Sequence, residues 1–378
     1  MNIALVNPPF QEQYSKSSVR FVLNVIPPLG LGYLASSLIK HSHTVSITDF
    51  TVEKSFAQAV QNVVSTHPDV VGITASTPLF ASAKQLAEAI KKKLPSAFFV
   101  LGGAHVSAVG KDALEDTCFD VGVLGEGEET VVELTYHLAS NGVRDLSGIK
   151  GIIFRDGHGF VQTQPRAAIR DLDALPQPSR HLMPALRQYH PTPASFRKLP
   201  LGVMITSRGC PQQCTFCDRA IFGNAYRARS ANNVLQEFDE LVKKFGAREI
   251  RFFDDCFALD KTRVSEICSG LRKRKIPWTC LTTVGSVSKE LLHEMKQSGC
   301  WQVLYGLESG DEKMLALLRK GATLEQNIRA VQWAHAAGLS VRADFIIGTP
   351  GETEESLKKT LDFALRMKLE YAHFNKFV

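Results

Sequence analysis

Residues 206–219 read "TSRGCPQQCTFCDR", in which Cys210, Cys214 and Cys217 are spaced C-x3-C-x2-C directly after the apolar run "GVMITS" (202–207). The number of thiols is the informative part. A structural zinc site closes its tetrahedron with four protein ligands, and a thioredoxin-type pair needs two. A cubane of four irons held by three thiolates keeps one iron open to a non-protein ligand. A zinc site of three cysteines and a remote histidine is the plainer alternative.

The chain of 378 residues carries 44 Lys and Arg against 38 Asp and Glu, a net charge of +6, with 44% hydrophobic and 22% charged residues. These are the proportions of an ordinary globular protein, long enough for two domains. The basic runs "KKK" (91–93) and "RKRK" (272–275) sit in helix-like text and read as solvated helix ends, so no nucleic-acid partner is expected. "MNIALVNPPF" lacks a basic leader, and no run approaches the roughly 18 apolar residues of a membrane span. The eight cysteines then read as thiols of a reducing compartment, and a cytoplasmic location is expected.

Residues 1–140 alternate short apolar runs ("NIALVN", "TVSITDF", "DVVGITAS", "AFFVLGG", "DVGVLGEGE") with amphipathic segments. This rhythm predicts an α/β domain, a doubly wound Rossmann-like parallel sheet with helices on both faces. Residues 141–200 are expected to be a linker, with seven of the 17 prolines falling in 164–200. From 201 to 378 six strand-like runs ("GVMITS", "EIRFFDD", "WTCLTT", "WQVLYGLES", "VRADFIIG", "AHFNKFV") predict a partial (β/α)6 TIM-like barrel with its chemistry at the strands' C-terminal ends.

"CPQQCTFC", with Phe216 before the last cysteine, resembles the motif of the radical S-adenosylmethionine superfamily. The resemblance implies a 4Fe-4S cluster on Cys210, Cys214 and Cys217 whose open iron chelates S-adenosylmethionine. Asp254 and Asp255 stand where members hold the ammonium group with a "GGE"-like turn, a departure in letters. "YGLESG" (305–310) looks like the fourth-strand motif. There, period-two alternation puts Gln302, Leu304, Gly306 and Glu308 on one face, and Glu308 can accept from ribose hydroxyls or the methionyl ammonium. "FIIGTPGET" (345–353) resembles the adenine-contacting segment, where Gly348 and Gly351 permit close approach; a strand-to-helix turn capped by Thr353 explains the same letters. Cys118, Cys256, Cys268, Cys280 and Cys300 lack paired spacing and read as buried small hydrophobes.

For the first domain, dinucleotide, cobalamin and a second cluster are the readings to weigh. "GLGYLA" (30–35) follows two prolines rather than a strand, so it reads as a helix start, and Cys118 alone cannot hold a cluster. "PPLGLGYLASSL", "DVVGITASTPLFASAKQLAEAIKK", "FVLGGAHVSA", "VLGEGEET" and the linker's "DLDALPQP" look like the cobalamin-binding radical subfamily, a resemblance that covers nearly the whole chain. It implies that Gly102 and Gly103 let main chain approach the cofactor's nucleotide tail, with Thr74, Ser76 and Thr77 bonding to it. The D-x-H-x-x-G cobalt-ligand signature is absent, "NPPFQEQ" standing after the first strand, so cobalt without a histidine ligand is expected. His41, His43 and His105 read as surface or loop residues.

The resemblance implies a 5′-deoxyadenosyl radical that takes hydrogen from an unactivated carbon, and methyl transfer from methylcobalamin to that carbon. Cyclisation, ring contraction or rearrangement, with cobalamin in a redox role, is the rival reaction; a non-catalytic cobalamin or cluster sensor is the rival class. A small-molecule or lipid-like substrate and an external electron donor such as flavodoxin or ferredoxin are implied. Phe222, Tyr226 and Tyr305 are candidates to line the reaction space, with core packing the plainer role. Family members usually continue past a sixth strand, where "YAHFNKFV" stands here.

Overall fold

The structure, a computed structural model, describes residues 1–9, 24–53, 55–143, 145–157 and 159–377. Most of "NPPFQEQ" therefore lies outside the described residues. The chain divides into two compact units, Met1–Thr192 with Ala220–Gly223, and Pro193–Arg219 with Asn224–Val378.

In the first unit the elements run β1 (Asn2–Asn7), α1 (Leu29–Lys40), β2 (Thr44–Asp49), α2 (Phe56–Ser65), β3 (Val70–Thr74), α3 (Phe80–Lys91), β4 (Phe98–Gly102), α4 (Ala104–Val109), β5 (Val121–Val123), α5 (Glu128–Asn141), β6 (Ile152–Arg155) and β7 (Phe160–Gln162). The sheet order is β2-β1-β3-β4-β5-β6-β7, with the first five strands parallel. Alternation along the strands builds two cores. Ala4, Val6, Val71, Ile73, Phe99 and Leu101 pack on Val60, Val63, Leu86 and Ile90 of α2 and α3. Ile3, Leu5, Val70, Val100 and Val121 pack on Leu31, Leu38, Leu134 and Leu138 of α1 and α5. The strand order reverses between β1 and β3, so ligands are expected outside the carboxyl ends of these strands.

The linker expectation is corrected in one place. β6 and β7 form an antiparallel hairpin that extends the first unit's sheet. Their four and three residues are too short for a period-two pattern to register. Residues 163–192 are irregular, as their prolines predict, yet tied to this unit: Tyr189 donates to Asp49 at 3.0 Å and Ile169 N–H to Glu126 at 2.9 Å.

The second unit contains β8 (Leu201–Met204), β9 (Ser207–Arg208), β10 (Arg227–Ala228), α6 (Ala231–Lys243), β11 (Glu249–Phe252), α7 (Lys261–Leu271), β12 (Trp278–Thr282), α8 (Lys289–Gln297), β13 (Cys300–Glu308), α9 (Glu312–Leu317), α10 (Leu324–Ala336), β14 (Ser340–Ile347), α11 (Glu354–Arg366) and β15 (Tyr371–Lys376). Six parallel strands stand in sequence order, β8-β11-β12-β13-β14-β15, as strand–helix repeats require. Phe238 of α6, Phe252, Phe257 and Trp278 form the aromatic core on the helix side. Ser230, Asp260, Ser288, Thr323 and Thr353 cap the helices that follow the strand-end loops, which fixes where each loop must end. Among the described residues no helix is long and apolar enough to cross a membrane.

Leu86 is fully buried in the first core. Leu86→Ala is expected to destabilise the protein by about 2–5 kcal/mol, read as a lowered urea midpoint in far-ultraviolet circular dichroism.

Candidate functional site

The cysteine loop leaves the sheet at the end of β8 and is closed at its base by the antiparallel pair β9–β10, with Ser207 opposite Ala228 and Arg208 opposite Arg227. One carboxylate holds this base. Asp254, just past β11 and 1% exposed, accepts from Thr206 N–H at 2.6 Å, Thr206 Oγ1 at 2.5 Å and Ser207 Oγ at 2.9 Å. Arg263 of α7 donates to the carbonyls of Thr206 and Arg229, at 2.9 and 2.6 Å, bracing both sides of the base. Burial pushes the Asp254 carboxyl upward, opposed by Arg263 and by these hydrogen bonds. The expectation that Asp254 holds a substrate ammonium is therefore corrected: its oxygens are taken by the loop, and it is a positioning residue. Its exposed neighbour Asp255 faces the Gly209 N–H and lies within electrostatic range of Cys210 and Cys217.

All three thiols are free; Cys214 is buried and Cys217 exposed. Burial raises each of them, and Lys320 and Arg219 pull Cys214 back down. Among the described residues no three His, Cys, Asp or Glu side chains converge on one metal ion. The donor set nonetheless fits a cubane, whose thiolates each bind a different iron and so stand further apart than ligands of one ion. The adjacent cations suit the negative charge that three thiolates bring.

Lys320 is the residue that sequence reasoning missed. Its ammonium donates to Glu308 Oε1 at 2.6 Å, with both side chains nearly buried, and lies 5.8 Å from the centre of the Phe216 ring. Burial opposes the ammonium, but Glu308, Cys214 and Cys210 outweigh it and its pKa rises. Glu308 ends β13 with a left-handed backbone, φ +61°, after a register shift against β14. Gly306 makes room for the pair, since a Cβ there would lie 2.3 Å from Glu308 Oε1 and 2.7 Å from Lys320 Nζ. The loop carrying Lys320 also grips the motif through Thr215 N–H to the Leu318 carbonyl, 3.0 Å. A positive residue twelve positions beyond a strand-end glutamate, followed by glycine, was the available signal.

Gly348 and Gly351 have φ of +78° and +86°, and a Cβ on Gly348 would meet nothing within 4 Å. The Gly348 N–H donates to Glu352 at 2.6 Å and Thr353 caps α11 through a capping box, so the turn reading holds here too. Tyr305 is fully buried and belongs to the core. Tyr226 is partly buried, and Phe222 falls in the segment that groups with the first unit. Cys256, Cys268, Cys280 and Cys300 are buried and Cys118 half-buried, as small hydrophobes.

In the first unit, the ends of β3 and β4 lie side by side, Thr74 paired with Gly102. A Cβ on Gly102 would enter open space, whereas one on Gly103 would strike Ala75 O and Thr74 Oγ1 at 2.7 Å. Ser76 is half-buried and Thr77 exposed on the same rim. Ser107 donates to the Gly103 carbonyl and accepts from Gly125 N–H, linking two strand-end loops that sequence reasoning left separate. The shelf presents main-chain and hydroxyl hydrogen-bonding groups at the ends of adjacent strands. His105 is buried, hydrogen-bonded to Thr77 at 3.2 Å and stacked 4.0 Å from Phe80, so it is part of this rim rather than a free ligand. His41 and His43 precede β2, at the amino ends of the parallel strands and so opposite the rim.

Residues 204–364 match the Radical SAM superfamily model, and 19–135 match the B12 binding domain. The chain is 35% identical over 380 residues to the uncharacterized methyltransferase PH0819 of Pyrococcus horikoshii, covering 99% of this chain and 80% of that one. It is 28% identical to the anaerobic magnesium-protoporphyrin IX monomethyl ester cyclase of Cereibacter sphaeroides, over 93% of this chain and 58% of that protein. The fold is shared with the radical S-adenosylmethionine methyltransferase TsrM of Kitasatospora setae in its form with cobalamin and [4Fe-4S] cluster bound, at a TM-score of 0.80 and 21% identity over 99% of this chain and 72% of that one.

Fold and site thus define an enzyme with a cluster-bearing partial barrel and a Rossmann-like cofactor domain. The chain belongs to the radical SAM superfamily, in the branch that carries a B12 binding domain. Its cofactors are a 4Fe-4S cluster, S-adenosylmethionine and cobalamin.

Removing Asp254 strands three donors of the cluster loop. Asp254→Ala is expected to destabilise by about 1–3 kcal/mol for each buried donor left unmet and to lower iron bound per chain after anaerobic reconstitution, whereas Asp255→Ala keeps the iron. Lys320→Met leaves the Glu308 carboxylate buried without its partner; a lowered melting temperature and weaker S-adenosylmethionine binding are expected, measured by scanning fluorimetry and equilibrium dialysis.

Proposed function

We propose that this chain is a cobalamin-dependent methyltransferase that methylates an unactivated carbon of a small-molecule or lipid-like substrate. The observation that carries the reading is the loop of three free thiols clamped by Asp254 and flanked by the buried Lys320–Glu308 pair. The full-length likeness to a protein named as a methyltransferase supports the reaction type. When bound, the cluster and S-adenosylmethionine supply a carbon-centred radical and cobalamin supplies the methyl group.

The chain's own part is binding and orientation. Cys210, Cys214 and Cys217 would hold the cluster. Asp255 takes the methionyl ammonium, and Lys320, the cation beside the thiols, takes the methionyl carboxylate. Glu308 keeps its second oxygen for a ribose hydroxyl, Phe216 packs over the loop, and the main chain at Gly348 and Gly351 meets the adenine. In the first unit Thr74, Ser76, Thr77, Gly102 and Gly103 receive the cobalamin tail. Cluster reduction calls for an external one-electron donor of the flavodoxin or ferredoxin kind, and the free thiols suit the cytoplasm.

A second reading, radical cyclisation or rearrangement, is favoured by the cyclase relative. Anaerobic protein with cluster, cobalamin, S-adenosylmethionine and reductant separates the two. Formation of both S-adenosylhomocysteine and 5′-deoxyadenosine is expected, with the latter falling to background in Cys214→Ala. 5′-Deoxyadenosine without S-adenosylhomocysteine would move the assignment to cyclisation or rearrangement.

A further inference from the structure

The sheet of the second unit has two faces of opposite character. Phe252 and Trp278 turn toward the helices, so their neighbours Arg251 and Thr279, which stand level on β11 and β12, turn to the other face. The register carries that face across the sheet: Thr279 is level with Gln302, and Leu281 with Leu304 and Arg342. Two arginines from the first and second halves of this unit therefore share one concave surface.

Neither guanidinium makes a hydrogen bond or an ion pair among the described residues. Arg251 stacks 4.7 Å from the centre of the Phe253 ring, and Arg342 lies 5.0 Å from that of Tyr371. Arg342 Nε and Thr279 Oγ1 are buried with no partner. Of the acids nearby, Glu249 is bonded elsewhere, whereas Asp344, two residues along β14 on the same face as Arg342, keeps one buried oxygen without a hydrogen bond. Asp344 faces His373 at 3.3 Å, and Glu249 accepts from the Arg197 and Lys198 N–H groups and from Trp301 Nε1. Burial, and next to it the charge of Arg342, push the Arg251 pKa down to about 10, opposed by Asp344 and Glu249. A guanidinium carries five N–H donors in a fork that matches an oxyanion, and leaving such donors unmet is costly.

We propose that this concave face binds an oxyanion, a carboxylate or a phosphate of the substrate, through Arg251, Arg342 and the Thr279 hydroxyl. The anion site stands on the arginines alone; its assignment to the substrate rests on the radical-enzyme reading above.

The test is calorimetric titration of the full chain, reconstituted with cluster and cobalamin, with inorganic phosphate and separately with succinate. Saturable binding of one of them is expected, and which one binds tells phosphate from carboxylate. Arg251→Gln and Arg342→Gln are each expected to weaken it at least about tenfold, the scale of one lost charge-assisted hydrogen bond, while Arg342→Lys, which keeps charge but not the fork, falls between. Undiminished binding in both glutamine variants would mean an adventitious ion only, and no binding by the unaltered protein would equally overturn the proposal. If Arg251→Gln fails to melt cooperatively, Arg342→Gln decides alone. Unaltered protein that binds the anion but forms no 5′-deoxyadenosine would overturn the radical reading and leave the anion site standing.

Discussion

The hydrogen bonds that Asp254 accepts from Thr206 and Ser207 are the constraint on which the cysteine loop depends. A buried carboxylate is tolerated only while its oxygens are satisfied, so the loop cannot shift without exposing the cost of an unpaired charge. Because Asp254 follows β11 and Thr206 follows β8, its bonds tie together the ends of two adjacent strands. Arg263 adds the carbonyl side of the same base, and the β9–β10 pair closes it. The thiols then start from a fixed point, although the loop between them has little regular structure of its own.

Across the barrel-like sheet, charge is arranged in opposed pairs at the cluster end and left unpaired lower down. Lys320 and Glu308 satisfy each other in a space that Gly306 keeps open. Arg251 on β11 and Arg342 on β14 make no ion pair among the described residues. An acid and a base held together preserve a binding surface before its ligand arrives; the two guanidiniums lie against aromatic rings, with their hydrogen-bonding edges left for the proposed anion. The first unit builds its rim differently, with main chain at Gly102 and Gly103 and the hydroxyls of Thr74, Ser76 and Thr77.

Much of this was legible in the order of residues. The C-x3-C-x2-C spacing is a local property, and so are the β–α rhythm that sets both sheets and the alternation that puts Gln302 and Leu304 on one face, whereas Glu308 is turned by a register shift and a left-handed backbone. Capping residues such as Thr353 marked helix starts because they act on donors only a few positions away. Folding had to decide the rest. Asp254 and Asp255 are identical letters side by side, yet one is sealed under a loop and the other exposed. The β6–β7 hairpin lies just ahead of the proline-rich part of the linker, and its Ile152, Ile153, Phe154 and Val161 favour a strand; only pairing with β5 shows that it belongs to the first unit's sheet. Lys320, in a loop, and the two arginines, on strands, acquire meaning only from charges that folding brings near them, since electrostatic interaction depends on distance through space and on burial, neither of which is written in chain order.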